Sequence, residues 1–203
     1  FKGAQGGAII SLCKMNISKS KFYKCLGRSG GAIASMSNLN LDSVVFLECF
    51  AKKGGAVQHQ FGECIINSCL FGSCSCNIIG AAYNSMNIKM HSMGNTNISG
   101  CATQNDGSAA FIHNCQIKMI QNSISYCCIK RGTGAYVLKE CDGKLTNCVF
   151  HKNSFDDIVG GGASCIELSG YSGNVSVTGS FFSKCSDFNY WSIRGRGSIQ
   201  ATI

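Results

Sequence analysis

Four columns of residues recur seven times along this chain at nearly constant spacing, which points to a repeat architecture. The clearest copies are Phe22-Tyr23-Lys24-Cys25 with Gly30-Gly31-Ala32-Ile33, and Phe46-Leu47-Glu48-Cys49 with Gly54-Gly55-Ala56-Val57. Aligned on the Ala of this device, the turns begin at Ala8, Ala32, Ala56, Ala81, Ala110, Ala135 and Ala163. An apolar column follows at Ile17, Leu41, Ile66, Met93, Met119, Leu145 and Val177. Five residues on stand Phe22, Phe46, Phe71, Ile98, Ile124, Phe150 and Phe182, and three further on Cys25, Cys49, Cys74, Cys101, Cys127, Asn153 and Cys185. Lengths vary only after the Ala column and after the Cys column, as loops do.

Around these columns apolar and polar residues alternate, as in Ser37-Asn38-Leu39-Asn40-Leu41-Asp42 and Gly173-Asn174-Val175-Ser176-Val177-Thr178. Period-two alternation marks strands with one buried face, and no long stretch carries a helical period. The expected fold is therefore all-β: one domain over residues 1–203, a single-stranded parallel β-helix of about seven turns of 24–29 residues. Like residues then stack about 4.8 Å apart along the axis. The Phe/Ile column becomes the continuous core, and Gly-Gly-Ala a tight corner with room inside for a methyl group. The absence of Pro suits a backbone whose N–H groups are committed to ladders.

Fifteen cysteines in a short secreted chain would suggest a disulfide framework. Column position argues otherwise. A place that takes Cys six times and Asn once wants a small buried residue at a bend. Stacked in register, its Cβ atoms lie about 4.8 Å apart, beyond the ~3.8 Å a disulfide prefers, so the Cys ladder is expected to be reduced. Cys69 and Cys148 share a second column, and Cys64, Cys76, Cys128 and Cys141 lie near bends; no pairing among them is specified. The chain starts at Phe1 with a motif under way and ends in a strand-like stretch, so it reads as a piece of a longer protein.

Gly-Gly-Ala-[Ile/Val] alternating with Phe-x-x-[Asn/Cys] resembles the repeat of polymorphic outer membrane proteins, also found in surface proteins of some protists. Phe150-His151-Lys152-Asn153 keeps the Asn of that pattern, while Ile98 and Ile124 replace Phe, and Ala81 and Ala110 lack the paired Gly. The resemblance implies a right-handed coil of pectin-lyase type and adhesion at a cell surface.

No catalytic or metal site and no cofactor is expected. Polysaccharide-cleaving sites need converging carboxylates, whereas Asp42, Glu48, Glu63, Asp106, Glu140, Asp142 and Glu167 are scattered singly and only Asp156-Asp157 are adjacent. His59, His91, His113 and His151 fall in different turns, and neither Cys74-x-Cys76 nor Cys127-Cys128 has the second half of a zinc site. The net charge of +8 comes with no dense basic run of the nucleic-acid type and no apolar run long enough to span a bilayer.

One surface feature emerges. Arg28, Lys52-Lys53 and Lys130-Arg131 fall just past the Cys column, in a broken basic ridge that passes Asn77 and is interrupted at Asp156-Asp157. Long cations ordinarily keep a sheet edge soluble and unpaired; the functional reading is contact with an anionic glycan or an acidic partner. Asn16, Asn97 and Asn174 each open an N-glycosylation triplet. The expected role is a non-enzymatic scaffold of a surface or adhesion protein, presenting flat faces to protein partners, neighbouring subunits or a glycan. The alternative is a component of an intracellular or appendage assembly, to which reduced thiols are equally suited.

Overall fold

A computed structural model describes residues 5–132, 134–155, 164–170, 173–185, 191–196 and 199–202. These form an all-β solenoid of about six turns with three parallel sheets as its walls. No helix among them is long and apolar enough to cross a membrane. Each turn runs through two arms of the first sheet (Ile33–Ser35 and Leu39–Asp42 in one turn), then the second (Val45–Leu47), then the third (Phe50–Lys53). The two arms merge into continuous strands at Ala110–Ile120 and Gly134–Thr146.

Every ladder is parallel, and like residues meet. Phe22 pairs Phe46, Phe46 pairs Phe71, and the column continues through Ile98, Ile124, Phe150 and Phe182. Ring centroids lie 5.1 Å apart for Phe22–Phe46, 4.8 Å for Phe46–Phe71 and 5.0 Å for Phe150–Phe182, each pair stacked. Burying each such side chain contributes about 1.5–3 kcal/mol, and stacking adds about 0.5–1.5 kcal/mol. The apolar column of the first sheet is likewise in register from Ile17 through Leu41, Ile66, Met93, Met119 and Leu145 to Val177.

The corners obey a single rule. Just past the strand stands a residue in the left-handed region, and the next residue points inward with a small side chain, Cys, Ser, Thr or Asn at every corner but Val44. Between the first and second sheets the left-handed positions are Lys19, Ser43, Ser68, Asn95, Gln121, Asn147 and Gly179; between the second and third they are Lys24, Glu48, Ser73, Gly100, Tyr126, Lys152 and Lys184. A left-handed non-glycine residue costs about 1–2 kcal/mol. The bend places its N–H on the next turn, as in Ser43 N–H to Asn67 O (3.0 Å) and Glu48 N–H to Gly72 O (3.0 Å). Ten of the fifteen cysteines (Cys25, Cys49, Cys69, Cys74, Cys101, Cys115, Cys127, Cys141, Cys148 and Cys185) directly follow such a residue.

Two sequence expectations need correction. The Ala column runs through Ala82 and Ala109, not Ala81 and Ala110: Ala56 N–H donates to Ala82 O, Ala82 N–H to Ala109 O, and Ala109 N–H to Ala135 O. The third sheet takes up one extra residue as an irregularity between Cys76 and Ile79, which moves the following column by one. Gly54, Gly80 and Gly107, two residues before their alanines, have φ of +60°, +68° and +69°, so the corner glycine persists where the pair does not. A Cβ on Gly54 would run into the carbonyl of Val57. Ala163 lies outside the described residues; the column position opposite Ala135 is taken by Cys165, between the pairs Gly134–Ser164 and Tyr136–Ile166.

That substitution explains the second correction. Cys165 and Cys185 form a disulfide, with Cα atoms 5.9 Å apart, so the Cys ladder is not wholly reduced. The bond runs across the interior within one turn, between the Ala column and the Cys column, rather than along a ladder. Register neighbours stay unbonded, as in Cys115 and Cys141, whose Sγ atoms are 3.9 Å apart.

Candidate contact surface

Most thiols are committed to the interior. Cys49 Sγ points between the carbonyls of Leu47 (3.5 Å) and Phe22 (3.8 Å), and Cys74 between those of Gly72 (3.5 Å) and Phe46 (3.8 Å). Cys101 and Cys127 repeat the geometry one and two turns on. Burial pushes the thiol of Cys64 up to about 12 and that of Cys76 up to about 11. Such thiols are protonated at neutral pH and poor nucleophiles.

Two histidines are interior as well. His59 and His91 are fully buried, in adjacent turns, and neither has a hydrogen-bond partner for either ring nitrogen among the described residues. The His91 ring stacks on Tyr83 with centroids 4.8 Å apart. Burial lowers His59 to about 4; burial and the proximity of His59 lower His91 to about 3. Sequence reasoning placed these histidines only in separate turns. The missed signal is parity, since His59 lies two residues after inward Val57 and His91 two before inward Met93. Among the described residues, no group of three or more His, Cys, Asp or Glu is arranged to hold a metal ion.

Apart from buried Glu167, the described carboxylates are spread over the outer faces. Asp42 accepts from Asn67 Nδ2 (2.9 Å), Glu48 pairs with Lys24 (3.6 Å), Glu140 with His113 (3.1 Å), and Asp142 accepts the N–H of Asn174 (2.7 Å). Asp156 and Asp157 lie outside the described residues.

The basic positions stand where the third sheet turns into the first. Arg28 and Lys52 are exposed on adjacent turns, linked by Lys52 N–H to Arg28 O at 3.1 Å, and Lys53 pairs with Ser29. Lys130 and Arg131 are exposed too, donating through their backbone N–H groups to Thr103 and Gln104. Between the two groups lie two turns whose corresponding residues are Asn77, Ile78 and Ile79, then Gln104, Asn105 and Asp106. At about 4.8 Å per turn, the cations form two clusters roughly 14 Å apart, a wider break than Asn77 alone suggests.

Each cluster borders a hollow. Lys53 lines one of about 130 Å³ with Ser29, Ala34, Met36, Gln58 and Gln60, beside which Asn84 Nδ2 donates to Gln58 Oε1 at 2.7 Å. Lys130 lines one of about 200 Å³ with Phe50, Cys76, Asn77, Thr103 and Gln104. Two exposed aromatics at the second corner carry cations: Lys24 Nζ lies 4.9 Å from the Tyr23 ring centre, and Lys152 Nζ 5.3 Å from that of Tyr126. Asn16, Asn97 and Asn174 are all exposed.

Compared with known proteins, the chain matches no family model, no curated protein and no solved structure.

Proposed function

We propose that this chain is a non-enzymatic scaffold segment of a surface or adhesion protein, a right-handed coil of seven turns whose outer faces meet protein or glycan partners. One observation carries the reading: most of the groups with reactive potential, ten of the thirteen free thiols and two of the histidines, are buried in the interior, while outward positions form flat rows in register. Such a row runs Asn16, Asn40, Ile65, Ser92, Lys118, Lys144, Ser176 along the first sheet. Solenoids use rows of this kind as extended contact surfaces. Arg28, Lys52, Lys53, Lys130 and Arg131 are the contact residues of the third-sheet edge.

The Cys165–Cys185 bond supports an oxidising compartment, and the exposed Asn97 triplet is compatible with passage through one. The alternative, an intracellular or appendage assembly, draws its support from the reduced interior thiols.

The test displays the purified protein on beads and measures retention on cell surfaces and on immobilised glycans. A parallel assay follows reducing ends released from a panel of polysaccharides. Saturable retention that falls when the five cations are changed to Gln, with no release of reducing ends, is the expected result. Catalytic turnover of any polysaccharide overturns the non-enzymatic reading, and failure to bind either surface overturns the adhesive one.

A further inference from the structure

Lys118 and Lys144 are register partners on adjacent turns of the first sheet, and both are exposed. Like charges directly opposite each other on a sheet face destabilise it. Among the described residues, the ion pairs are Lys24–Glu48 and His113–Glu140, so neither lysine is neutralised by a carboxylate. The acid nearest in sequence, Asp142, lies on the same face two residues before Lys144, and its Oδ1 is taken by the backbone N–H of Asn174 at 2.7 Å. The flanking row positions are Ser92 and Ser176, small and neutral.

The surface beneath this pair is hollowed. Lys118 and Lys144 line a trough of about 460 Å³ with Met90, Gln116, Ile117, Gly143, Asn174 and Ser176. Its depth has a local cause. Gly143 occupies the position taken by Ile117 one turn before and by Val175 one turn after. At φ +139° it adopts a conformation that L side chains rarely take, and a Cβ there would run into the carbonyl of Ile117. Ile117 and Val175 are buried, so this column faces the interior, and Gly143 leaves it without a side chain beneath the trough. The volume falls within the ~300–1,000 Å³ of small-ligand sites, and the lining has their character: an apolar floor, a few amides and a hydroxyl, and one concentration of charge.

We infer that the trough binds a sulfate or phosphate ester carried on a small sugar. The two ammonium groups share the oxyanion, which relieves their mutual repulsion. Gln116, Asn174 and Ser176 hydrogen-bond the sugar hydroxyls, and exposed Met90 packs its C–H face. The site goes beyond the scaffold reading, and it stands whether or not the chain is an adhesin.

The test is calorimetric titration of the whole chain at two salt concentrations with a heparin-derived sulfated disaccharide, glucose 6-phosphate, inorganic sulfate and unsubstituted maltose. At least one ester is expected to bind, more weakly at high salt, and to lose tenfold or more in K118Q/K144Q and in S176E. K19Q/K21Q, exposed on the first turn, is expected to bind unchanged, and no variant to unfold below the wild-type midpoint, with K118Q/K144Q rising as the lysine repulsion is removed. Preference between the sulfated and phosphorylated sugars identifies the ester. The inference is overturned if neither ester binds, if K19Q/K21Q loses as much as K118Q/K144Q, if maltose binds equally well, or if inorganic sulfate binds as tightly as either ester.

Discussion

Asn153 holds Cys127 through two bonds to its turn: Oδ1 accepts the backbone N–H of Cys127 at 3.0 Å, and Nδ2 donates to the carbonyl of Ile124 at 3.2 Å. At Cys49, Cys74, Cys101 and Cys127 a thiol does the second task only, at 3.8, 3.8, 3.9 and 4.0 Å. The same division appears at the first corner, where Asn122 Oδ1 accepts Thr96 N–H at 3.0 Å and its Nδ2 donates to Met93 O at 3.0 Å. Cys and Asn alternate because both are small, and both supply a donor to a carbonyl that the parallel ladder leaves over.

Cys101→Asn should therefore be accommodated within about 1 kcal/mol, since the amide replaces the thiol's contact with the Phe71 carbonyl and adds one to the turn below. Cys101→Leu should cost about 1–3 kcal/mol by overpacking the corner. Urea unfolding of the two variants checks this; equal destabilisation would show that size alone governs the column.

Phe46 has a ring on both sides, Phe22 at 5.1 Å and Phe71 at 4.8 Å. Phe46→Ala is expected to lose about 3–5 kcal/mol. Phe46→Ile, which copies what the column carries at Ile98 and Ile124, should lose less than half as much. Denaturant midpoints at constant m-value decide it.

Acid should weaken the fold through His59 and His91. Their folded pKa values, about 4 and about 3, lie below the ordinary value of 6.5, so the unfolded chain binds the extra protons. Stability from these two groups is full above pH 6.5 and is lost as pH falls toward 4 and then 3. At about 1.4 kcal/mol per pH unit per group, the loss amounts to several kcal/mol. Urea midpoints at pH 7.5, 5.5 and 4.5 should fall in that order, and His91→Phe, which keeps the ring on Tyr83, should flatten the slope. A midpoint that stays level across this range refutes the assignment.

Thiol titration of the unreduced protein should find at least twelve thiols once the chain is unfolded, and before unfolding a fast reaction at exposed Cys13, with buried thiols such as Cys49, Cys64 and Cys101 slow. Reducing Cys165–Cys185 should lower stability by about 3 kcal/mol, the scale expected for a short closed loop. Ten or more oxidised cysteines would be incompatible with the corner geometry.

The period, the all-β class and three of the four columns were legible because each turn meets the same environment and so keeps the same residue type. The Ile17 and Phe22 columns could be read to the residue, their spacing being set by one left-handed corner of constant length. The Ala column slipped by one at Ala82 and Ala109 because the Ser75–Ile79 strand of the third sheet takes up an extra residue between Cys76 and Ile79, just before that column. Neighbouring Ala and Gly residues leave little in composition to mark such a slip.

Spacing along the chain suffices for the one-dimensional repeat and for which residues of the Ile17 and Phe22 columns stack on which, because regular stacking follows the period. The features that needed the folded chain lie across or between turns: the Cys165–Cys185 bond over the interior, the buried His59–His91 pair, and the trough under Lys118 and Lys144. These depend on which walls face each other and on which side chains meet across the turns, and neither is a function of spacing along the chain.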